Sequence, residues 1–313
     1  MRTIDLGASG LMAPAISLGC MRMRDLEAAD AVKVLEAAMK TGMNFFDHAD
    51  IYGLNGHAET VFAEAVKMAG IKREDMLVQT KCGIVRKADN TGNAAFDFSK
   101  GHIVASAEGS LRRLGMDYVD VYMLHRPDTL MEPGEVAEAF DELHRRGLVR
   151  YFGVSNQSGG QMRLLQKYMG HKLIVNQLQF SIVHTGMVDF GFNVNMKNAA
   201  SMDHDGGLLE YCRLEDITIQ AWSPYRLNDM SGVFIDHPDY PELNAVLGKL
   251  AEKYNVTKDA VATAWILRHP ANMQVIVGSM NPGRVAAIAK AADVVLTRSE
   301  WYEVYMAAGN RLP

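Results

Sequence analysis

Short apolar runs alternate with helical patterns along almost the whole chain, and this alternation restricts the fold more than any other feature of the sequence. The helical segments repeat apolar residues every three or four positions, and several of them end at a glycine. Apolar strands separated by helices are typical of a parallel sheet covered on both faces. The predicted strands are Ile16–Gly19, Asn44–Asp50, Met76–Cys82, Val119–His125, Tyr151–Ser155, Leu173–Gln179, Ile217–Trp222 and Gln274–Ser279.

Eight such units in 313 residues favour an α/β fold of the (β/α)8 type, the TIM barrel, over an open doubly wound sheet. No Gly-x-Gly-x-x-Gly follows the first strand, so the usual mark of the competing fold is missing. A hairpin formed by Thr3–Leu6 and Leu11–Ala15 is predicted before the barrel, and an extra helix, Trp301–Ala308, after it. We expect residues 1–313 to form one domain.

Composition indicates a protein that acts on a small molecule. The net charge is -5 and the pI is about 6.1, so neither nucleic acid nor an anionic membrane is expected as a partner. No secretory core and no long uncharged apolar run is found. Cys20, Cys82 and Cys212 lack metal-type spacing and fit a reducing compartment. A cytoplasmic protein, monomeric or a small homo-oligomer, is expected.

Ionisable side chains stand at the ends of successive predicted strands. Asp47 ends the second strand, Lys81 the third and His125 the fourth, and Tyr52 lies in the loop after Asp47. Strand side chains alternate between faces, so Asp47, Lys81 and His125 are predicted to converge at the carboxyl end of the barrel. Active sites of such barrels lie at this end.

These four residue types suit proton transfer to a carbonyl oxygen. A free tyrosine has a pKa of ~10, and a neighbouring Lys81 ammonium, held charged by Asp47, is expected to lower the pKa of Tyr52. Tyr52 could then protonate the oxygen while His125 orients it. None of these side chains is redox active, so a cofactor must supply the hydride.

At this point the sequence resembles the aldo-keto reductases, and within them the bacterial oxidoreductases that carry Asp-His-Ala-Asp-Ile-Tyr. The resemblance runs in order along the chain, which makes it more specific than any single motif. Its segments are Gly42–Gly53, Gln79–Lys81, Tyr122–Asp128, Tyr151–Asn156, Asn176–Gln177 and Val277–Pro282. It implies an (α/β)8 barrel, NADPH bound without a Rossmann fold, a catalytic tetrad of Asp47, Tyr52, Lys81 and His125, and reversible reduction of aldehydes or ketones to alcohols.

The resemblance also implies a set of cofactor-binding residues. Ser155, Asn156 and Gln177 would hold the nicotinamide carboxamide, Trp222 would stack on its ring, and Ser223 would line the pyrophosphate path. Many relatives have a lysine where Gly278 stands here, and a Glu-Asn pair where Ala287 and Ile288 stand, so NADH is possible as well. The remaining predicted contacts are Met21, Gly278, Ser279, Met280 and Arg284.

Other interpretations stay open at this point. Lys81 could form a Schiff base in a barrel aldolase, which would require a neutral lysine away from Asp47. The chain could be a dinucleotide-binding regulatory or redox-sensing subunit with little turnover. A metal site using His48 and Asp50 is disfavoured, because both are predicted to face away from Asp47. Two segments without a sustained period, Phe180–Gly207 and Pro224–Pro241, are predicted as long loops that determine the substrate.

Overall fold

The chain closes into a parallel eight-stranded barrel surrounded by helices. The computed structural model describes residues 1–87 and 91–313. Consecutive barrel strands are hydrogen-bonded in parallel, and the last pairs with the first, Val275 beside Ile16. The barrel strands are β3 (Ile16–Gly19), β4 (Phe45–Asp47), β5 (Leu77–Cys82), β8 (Val119–Leu124), β9 (Val149–Ser155), β10 (Leu173–Gln179), β11 (Thr218–Trp222) and β12 (Gln274–Val277). The predicted (β/α)8 TIM barrel is confirmed.

Helices cover the outer face of the barrel with their apolar sides. In α1 (Ala28–Lys40), for example, Val34, Leu35 and Ala38 are buried, the spacing of one helical face. Glycines in the left-handed conformation end two of the helices, as the sequence predicts. The others are α2 (His57–Ala69), α3 (Lys100–Leu114), α4 (Pro133–Arg145), α5 (Gly159–Tyr168), α6 (Gly186–Phe192), α7 (Leu208–Leu214), α8 (Pro241–Tyr254), α9 (Lys258–Leu267), α10 (Pro282–Ala289) and α11 (Arg298–Ala307).

In the part of the chain that the structure describes, two hairpins stand outside the barrel. The predicted N-terminal one consists of β1 (Thr3–Asp5) and β2 (Met12–Pro14). It is anchored to the bottom of the barrel where the side-chain amide of Gln274 donates to the Pro14 carbonyl at 2.7 Å. The second, β6 (Ile84–Arg86) with β7 (Asn93–Phe96), follows β5 and was not predicted from the sequence. It adds side chains to the mouth of the barrel.

Two sequence predictions need correction. The strand predicted over Asn44–Asp50 ends at Asp47, although the amide of Asp50 still donates to the Lys81 carbonyl at 3.1 Å. The segment predicted as a loop, Phe180–Gly207, contains helix α6 and a 3₁₀ turn at Ala199–Ser201. The short α6 is held by tertiary contacts that its own sequence does not reveal.

The C-terminal helix is fixed to the barrel by a reciprocal tryptophan pair. The indoles of Trp265 in α9 and Trp301 in α11 stack with ring centroids 4.6 Å apart. Each indole N–H donates to the backbone carbonyl of the other residue, at 2.9 and 3.0 Å. Tyr305 stacks on Trp301 in turn, and its hydroxyl donates to Asp189 of α6 at 2.6 Å. Among the helices of the described residues, none has the combined length and apolar character that crossing a membrane requires.

Candidate active site

A cavity of about 790 Å³ opens at the carboxyl ends of the barrel strands. Most residues that the sequence singled out for chemistry or cofactor binding line it, whereas Lys81 lies fully buried beneath its wall. The predicted residues that line the cavity are Met21, Asp47, Tyr52, His125, Ser155, Asn156, Gln177, Trp222, Ser223, Gly278, Ser279 and Arg284. The structure does not place Met280 in this lining; its side chain packs against the apolar core instead.

Lys81 is the centre of the polar cluster at the base of the cavity. Its ammonium nitrogen lies 2.8 Å from one carboxylate oxygen of Asp47 and 2.9 Å from the other. It also donates to the His48 carbonyl at 2.7 Å and to the Tyr52 hydroxyl at 3.1 Å. Burial acts to lower the pKa of Lys81, but Asp47 and Tyr52 outweigh it, and the pKa is raised. Lys81 is therefore a charged group in contact with Tyr52.

A network of side-chain amides surrounds Asp47 inside the barrel. Gln79 and Gln177 both donate to the same Asp47 oxygen, at 2.5 and 3.0 Å. Gln79 and Gln220 exchange two hydrogen bonds, and Gln220 donates onward to Gln274 at 2.8 Å. Gln274 donates to the Pro14 carbonyl, which completes a chain across the barrel. Buried polar groups need such partners, and this network supplies them.

Tyr52 keeps its proton more firmly than a free tyrosine. Burial raises the pKa of Tyr52, and the adjacent charge on Lys81 opposes that rise without cancelling it. The expectation that Lys81 would bring the pKa below its ordinary value is therefore wrong, because desolvation of the phenolate is the larger effect. A protonated Tyr52 facing the cavity is the form that can donate a proton.

His125 stands beside Tyr52 and is neutral. The two rings meet edge to face, with centroids 5.9 Å apart. Burial, and then the charges of Lys81, Arg126 and Arg86, lower the pKa of His125 well below its ordinary value. Its Nδ1 is buried without a hydrogen-bond partner among residues 1–87 and 91–313. A neutral imidazole can donate one hydrogen bond and accept another, which suits the orientation of a carbonyl oxygen.

The residues predicted to hold a nicotinamide form one hydrogen-bonded wall. The indole of Trp222 donates to the Asn156 side-chain oxygen at 3.2 Å, and Asn156 donates to the Ser155 hydroxyl at 2.7 Å. Ser155 donates to the backbone carbonyl of Gln177 at 3.0 Å. Asn156 and Ser223 both have left-handed backbones, with φ of 55° and 54°, directly after strands β9 and β11. Such backbone strain is common at binding sites.

Arg284 lies near the start of α10, at the far side of the cavity. Its backbone amide donates to the side chain of Asn281, the N-cap residue, at 2.9 Å. Its guanidinium is 3.9 Å from Asp259, and its side chain is 65% exposed, so it can also contact an anion in the cavity. A second cavity beside it is bordered by α8 and the start of α9.

Several lining residues were missed by sequence reasoning. They are Arg86, Asn93 and Phe96 of the second hairpin, together with Arg126 and Arg226. Arg126 follows His125 directly, so its place at a strand end was a usable signal. The hairpin residues carried none, because no periodicity marks the pairing of β6 with β7. Of the aromatic residues in the second long loop, Tyr225 lines the cavity, whereas Phe234 is buried in the core.

The geometry contradicts one of the alternative chemistries, the Schiff-base aldolase. A Schiff-base lysine must be neutral, and Lys81 is instead held charged by Asp47, which contradicts an aldolase mechanism. His48 lies outside the barrel, with its ring 4.5 Å from that of Phe62 in α2. Among the described residues no three histidines, cysteines or carboxylates are grouped as a metal site would require.

Comparison with known proteins supplies the identity of this barrel. The sequence profile of the aldo/keto reductase family matches residues 15–307. The chain belongs to the aldo/keto reductase family. The family predicted from the dispersed motifs is thus confirmed, and so is the enzyme class, an oxidoreductase.

Similar aldo/keto reductases include curated proteins and solved structures. YcsN, an uncharacterised oxidoreductase of Bacillus subtilis, is 34% identical over 98% of each chain. The oxidoreductase YdhF of Escherichia coli is 35% identical over 93% of this chain and 92% of that protein. A 6-dehydroglucose reductase of Agrobacterium fabrum is 33% identical over 91% and 89%.

Solved aldo/keto reductases share the fold of this chain. The thermostable aldo-keto reductase Tm1743, crystallised with the inhibitor epalrestat, superposes with a TM-score of 0.77 at 25% identity, covering 98% of this chain and 100% of that one. An aldo-keto reductase from Klebsiella pneumoniae, crystallised with NADPH, superposes with a TM-score of 0.74 at 24% identity, covering 97% and 93%.

Proposed function

We propose that the protein reduces an aldehyde or ketone to an alcohol with NADPH, and that Asp47, Tyr52, Lys81 and His125 are its catalytic residues. The observation that carries this proposal is the contact of the Tyr52 hydroxyl with the Lys81 ammonium, 3.1 Å apart at the base of the cavity. Family membership agrees with it, since it implies a carbonyl or alcohol as substrate.

The cavity suits a dinucleotide. Arg226, Arg284 and Arg22 line it after the neighbouring strands β11, β12 and β3. Burial, together with the charges of the other two arginines, lowers the pKa of Arg22. Clustered cations of this kind are stabilised by phosphate groups. Asn156 follows β9 and Trp222 ends β11, and they offer an amide and an aromatic face to the nicotinamide. NADPH, when bound, supplies the hydride; NADH remains an alternative donor, because Gly278 contributes no charge.

The protein's own groups handle the proton. Tyr52 stays protonated until a substrate oxygen gains negative charge, and then donates its proton to that oxygen. Lys81, held by Asp47, stabilises the resulting phenolate through its positive charge. His125 donates a hydrogen bond to the same oxygen and fixes its position between the two donors. In the direction of alcohol oxidation the same groups accept the proton.

Tyr52→Phe tests the proposal. We expect turnover of a panel of aldehydes, diketones and quinones, followed by loss of NADPH absorbance, to fall by about 10²- to 10⁴-fold. NADPH binding, followed by fluorescence, should be retained. Tyr302→Phe, a hydroxyl deletion on α11 away from the cavity lining, should leave both measurements unchanged.

The same experiment separates the regulatory alternative. If the wild type binds NADPH and consumes it with no member of the panel, a dinucleotide-binding sensor is favoured over a reductase. If Tyr52→Phe retains full turnover, Tyr52 is not the proton donor and the proposed mechanism is wrong.

A further inference from the structure

Arginines dominate the charged lining of the cavity, although the whole chain carries a net charge of -5. Asp47 is the one carboxylate in this lining among the described residues, and it is paired with Lys81. A positive cavity in an acidic protein concentrates anions and steers them inward. The six arginines that line the cavity are Arg22, Arg24, Arg86, Arg126, Arg226 and Arg284.

These arginines do not all face the same place. Arg226, Arg284 and Arg22 follow the neighbouring strands β11, β12 and β3. This arrangement groups them on the side assigned to the dinucleotide phosphates. Arg126 and Arg86 instead act on His125 and lower its pKa. Arg86 follows β5 and Arg126 follows β8, and these two strands are neighbours. Both arginines therefore lie on the side of the residues proposed to receive the carbonyl.

Arg126 is held at this position without a neutralising partner. It is half-buried, and its guanidinium carbon lies 5.6 Å from the centre of the Trp222 ring. Throughout residues 1–87 and 91–313, no carboxylate forms a salt bridge with it. Contact with an aromatic ring stabilises a cation only modestly and leaves its hydrogen-bond donors unused. A planar carboxylate, with two oxygens, matches the guanidinium best.

The dinucleotide does not supply that anion. Its phosphates are assigned to the opposite group of arginines, and its nicotinamide end carries an uncharged carboxamide. The anion that meets Arg126 must then come from the other reactant. This reasoning rests on the proposed function, because it uses the placement of cofactor and carbonyl given there.

We propose that the substrate is an aldehyde or ketone that carries a carboxylate, and that Arg126 binds this carboxylate while the carbonyl faces Tyr52 and His125. Arg86, on the hairpin at the mouth, adds a second positive charge along the entry path. The carboxylate takes part in no bond change. The carbonyl carbon gains the hydride, the oxygen gains the proton, and the carboxylate fixes the orientation of both.

A matched pair of substrates tests this inference. The probes are para-formylbenzoate and its neutral methyl ester, assayed with NADPH in the wild type, in Arg126→Gln and in Arg126→Lys. We expect the wild type to prefer the acid, and Arg126→Gln to reduce the acid-to-ester ratio of kcat/KM by about 10- to 100-fold, mainly through KM. Arg126→Lys should retain part of the preference. Arg86→Gln should reduce it by about threefold, with less effect at high salt.

Arg163→Gln is the matched control. Arg163 also lies over an aromatic ring, 5.5 Å from the centre of Tyr211, but it is absent from the cavity lining. Its removal should leave the acid-to-ester ratio unchanged. Thermal unfolding of each variant shows whether it is folded at the assay temperature.

Calorimetric titration of the same probes in the presence of NADP⁺ separates this inference from the proposed function. If the acid binds more tightly than the ester and Arg126→Gln abolishes the difference, the inference stands even when neither probe is reduced, and the reductase assignment is then the part that fails. If acid and ester bind and react equally well in the wild type, or if Arg126→Gln weakens both to the same extent, the inference is overturned.

Discussion

Two buried polar clusters lie on opposite faces of strand β5, and they differ in what they face. Lys81 points into the barrel and joins Asp47 and Tyr52 at the cavity. Thr80, one residue earlier, points outward and donates to Glu59 of α2 at 2.6 Å. Arg113 of α3 donates to the other Glu59 oxygen at 2.7 Å. Both clusters contain a fully buried charge, so burial of a charge does not by itself identify a catalytic site.

Access to the cavity separates the two clusters. The inner cluster has a hydroxyl and an imidazole that line open space, whereas Glu59 is sealed between β5, α2 and α3 and is absent from the cavity lining. Gly56 makes the outer contact possible, because a Cβ at that position would collide with the Arg113 side chain. We therefore expect changes in the inner cluster to affect rate, and changes in the outer cluster to affect stability.

The largest effect is expected from Lys81→Met. Loss of the ammonium removes the charge that stabilises the Tyr52 phenolate, and kcat should fall by about 10²- to 10⁴-fold while NADPH binding persists. Assays below the unfolding temperature of the variant measure this effect separately from stability. The exposed Lys33→Met is its control. A variant that kept more than a tenth of wild-type turnover would contradict the role given to Lys81.

Glu59→Ala should have the opposite profile. Removing one member of a buried ion pair leaves Arg113 and Thr80 without their acceptor, and the free energy of unfolding should fall by about 3–5 kcal/mol. Chemical denaturation measures this loss, and kcat at low temperature should stay within about threefold of wild type. Glu303→Ala, which breaks the exposed pair with Lys249, should cost less than about 1 kcal/mol. A Glu59→Ala variant that is stable but inactive would contradict the assignment of the outer cluster to stability and the inner cluster to rate.

Asp50→Asn probes the region between the two clusters through pH. Burial, and then the charge of Glu59, raise the pKa of Asp50 from 3.8 to about 7. A carboxyl whose pKa is raised on folding contributes stability at low pH, and this stability is lost as pH rises from about 4 to about 7. Asp50→Asn should therefore be more stable than wild type at pH 8, with the difference disappearing near pH 4.

Denaturant midpoints at a series of pH values measure this effect. The exposed Asp117→Asn should show no such dependence. Parallel stability curves for wild type and Asp50→Asn would mean that Asp50 is not destabilised by its surroundings.

The fold could be predicted from the sequence because the same strand-and-helix pattern occurs in every unit of the barrel. Each unit combines an apolar strand with an amphipathic helix, so an uncertain boundary such as the end of β4 did not alter the count. The convergence of Asp47, Lys81 and His125 also followed from side-chain alternation alone. These are local regularities, and local regularities can be read without a structure.

Other parts of the site depend on contacts between distant segments. Helix α6 owes its place to Tyr305, more than a hundred residues away. The pairing of β6 with β7, which no sequence motif marks, brings Arg86 and Phe96 to the mouth. The pKa of Tyr52 depends on how far desolvation outweighs the charge of Lys81. The sequence reveals the lysine but not the extent of burial. The position of Arg126 at a strand end could be predicted from the sequence, but the absence of a counter-ion for it among the described residues could not.

The amide network that crosses the barrel has a further consequence. The Pro14 carbonyl can only accept a hydrogen bond, which directs the amide nitrogen of Gln274 toward it. Gln274 must then present its oxygen to Gln220, and the exchange between Gln220 and Gln79 leaves an amide nitrogen facing Asp47. The contact with the N-terminal hairpin thus fixes which way each side-chain amide of this network points. The dipoles around Asp47 are oriented when the chain folds, so no reorganisation energy is required of them when a ligand arrives.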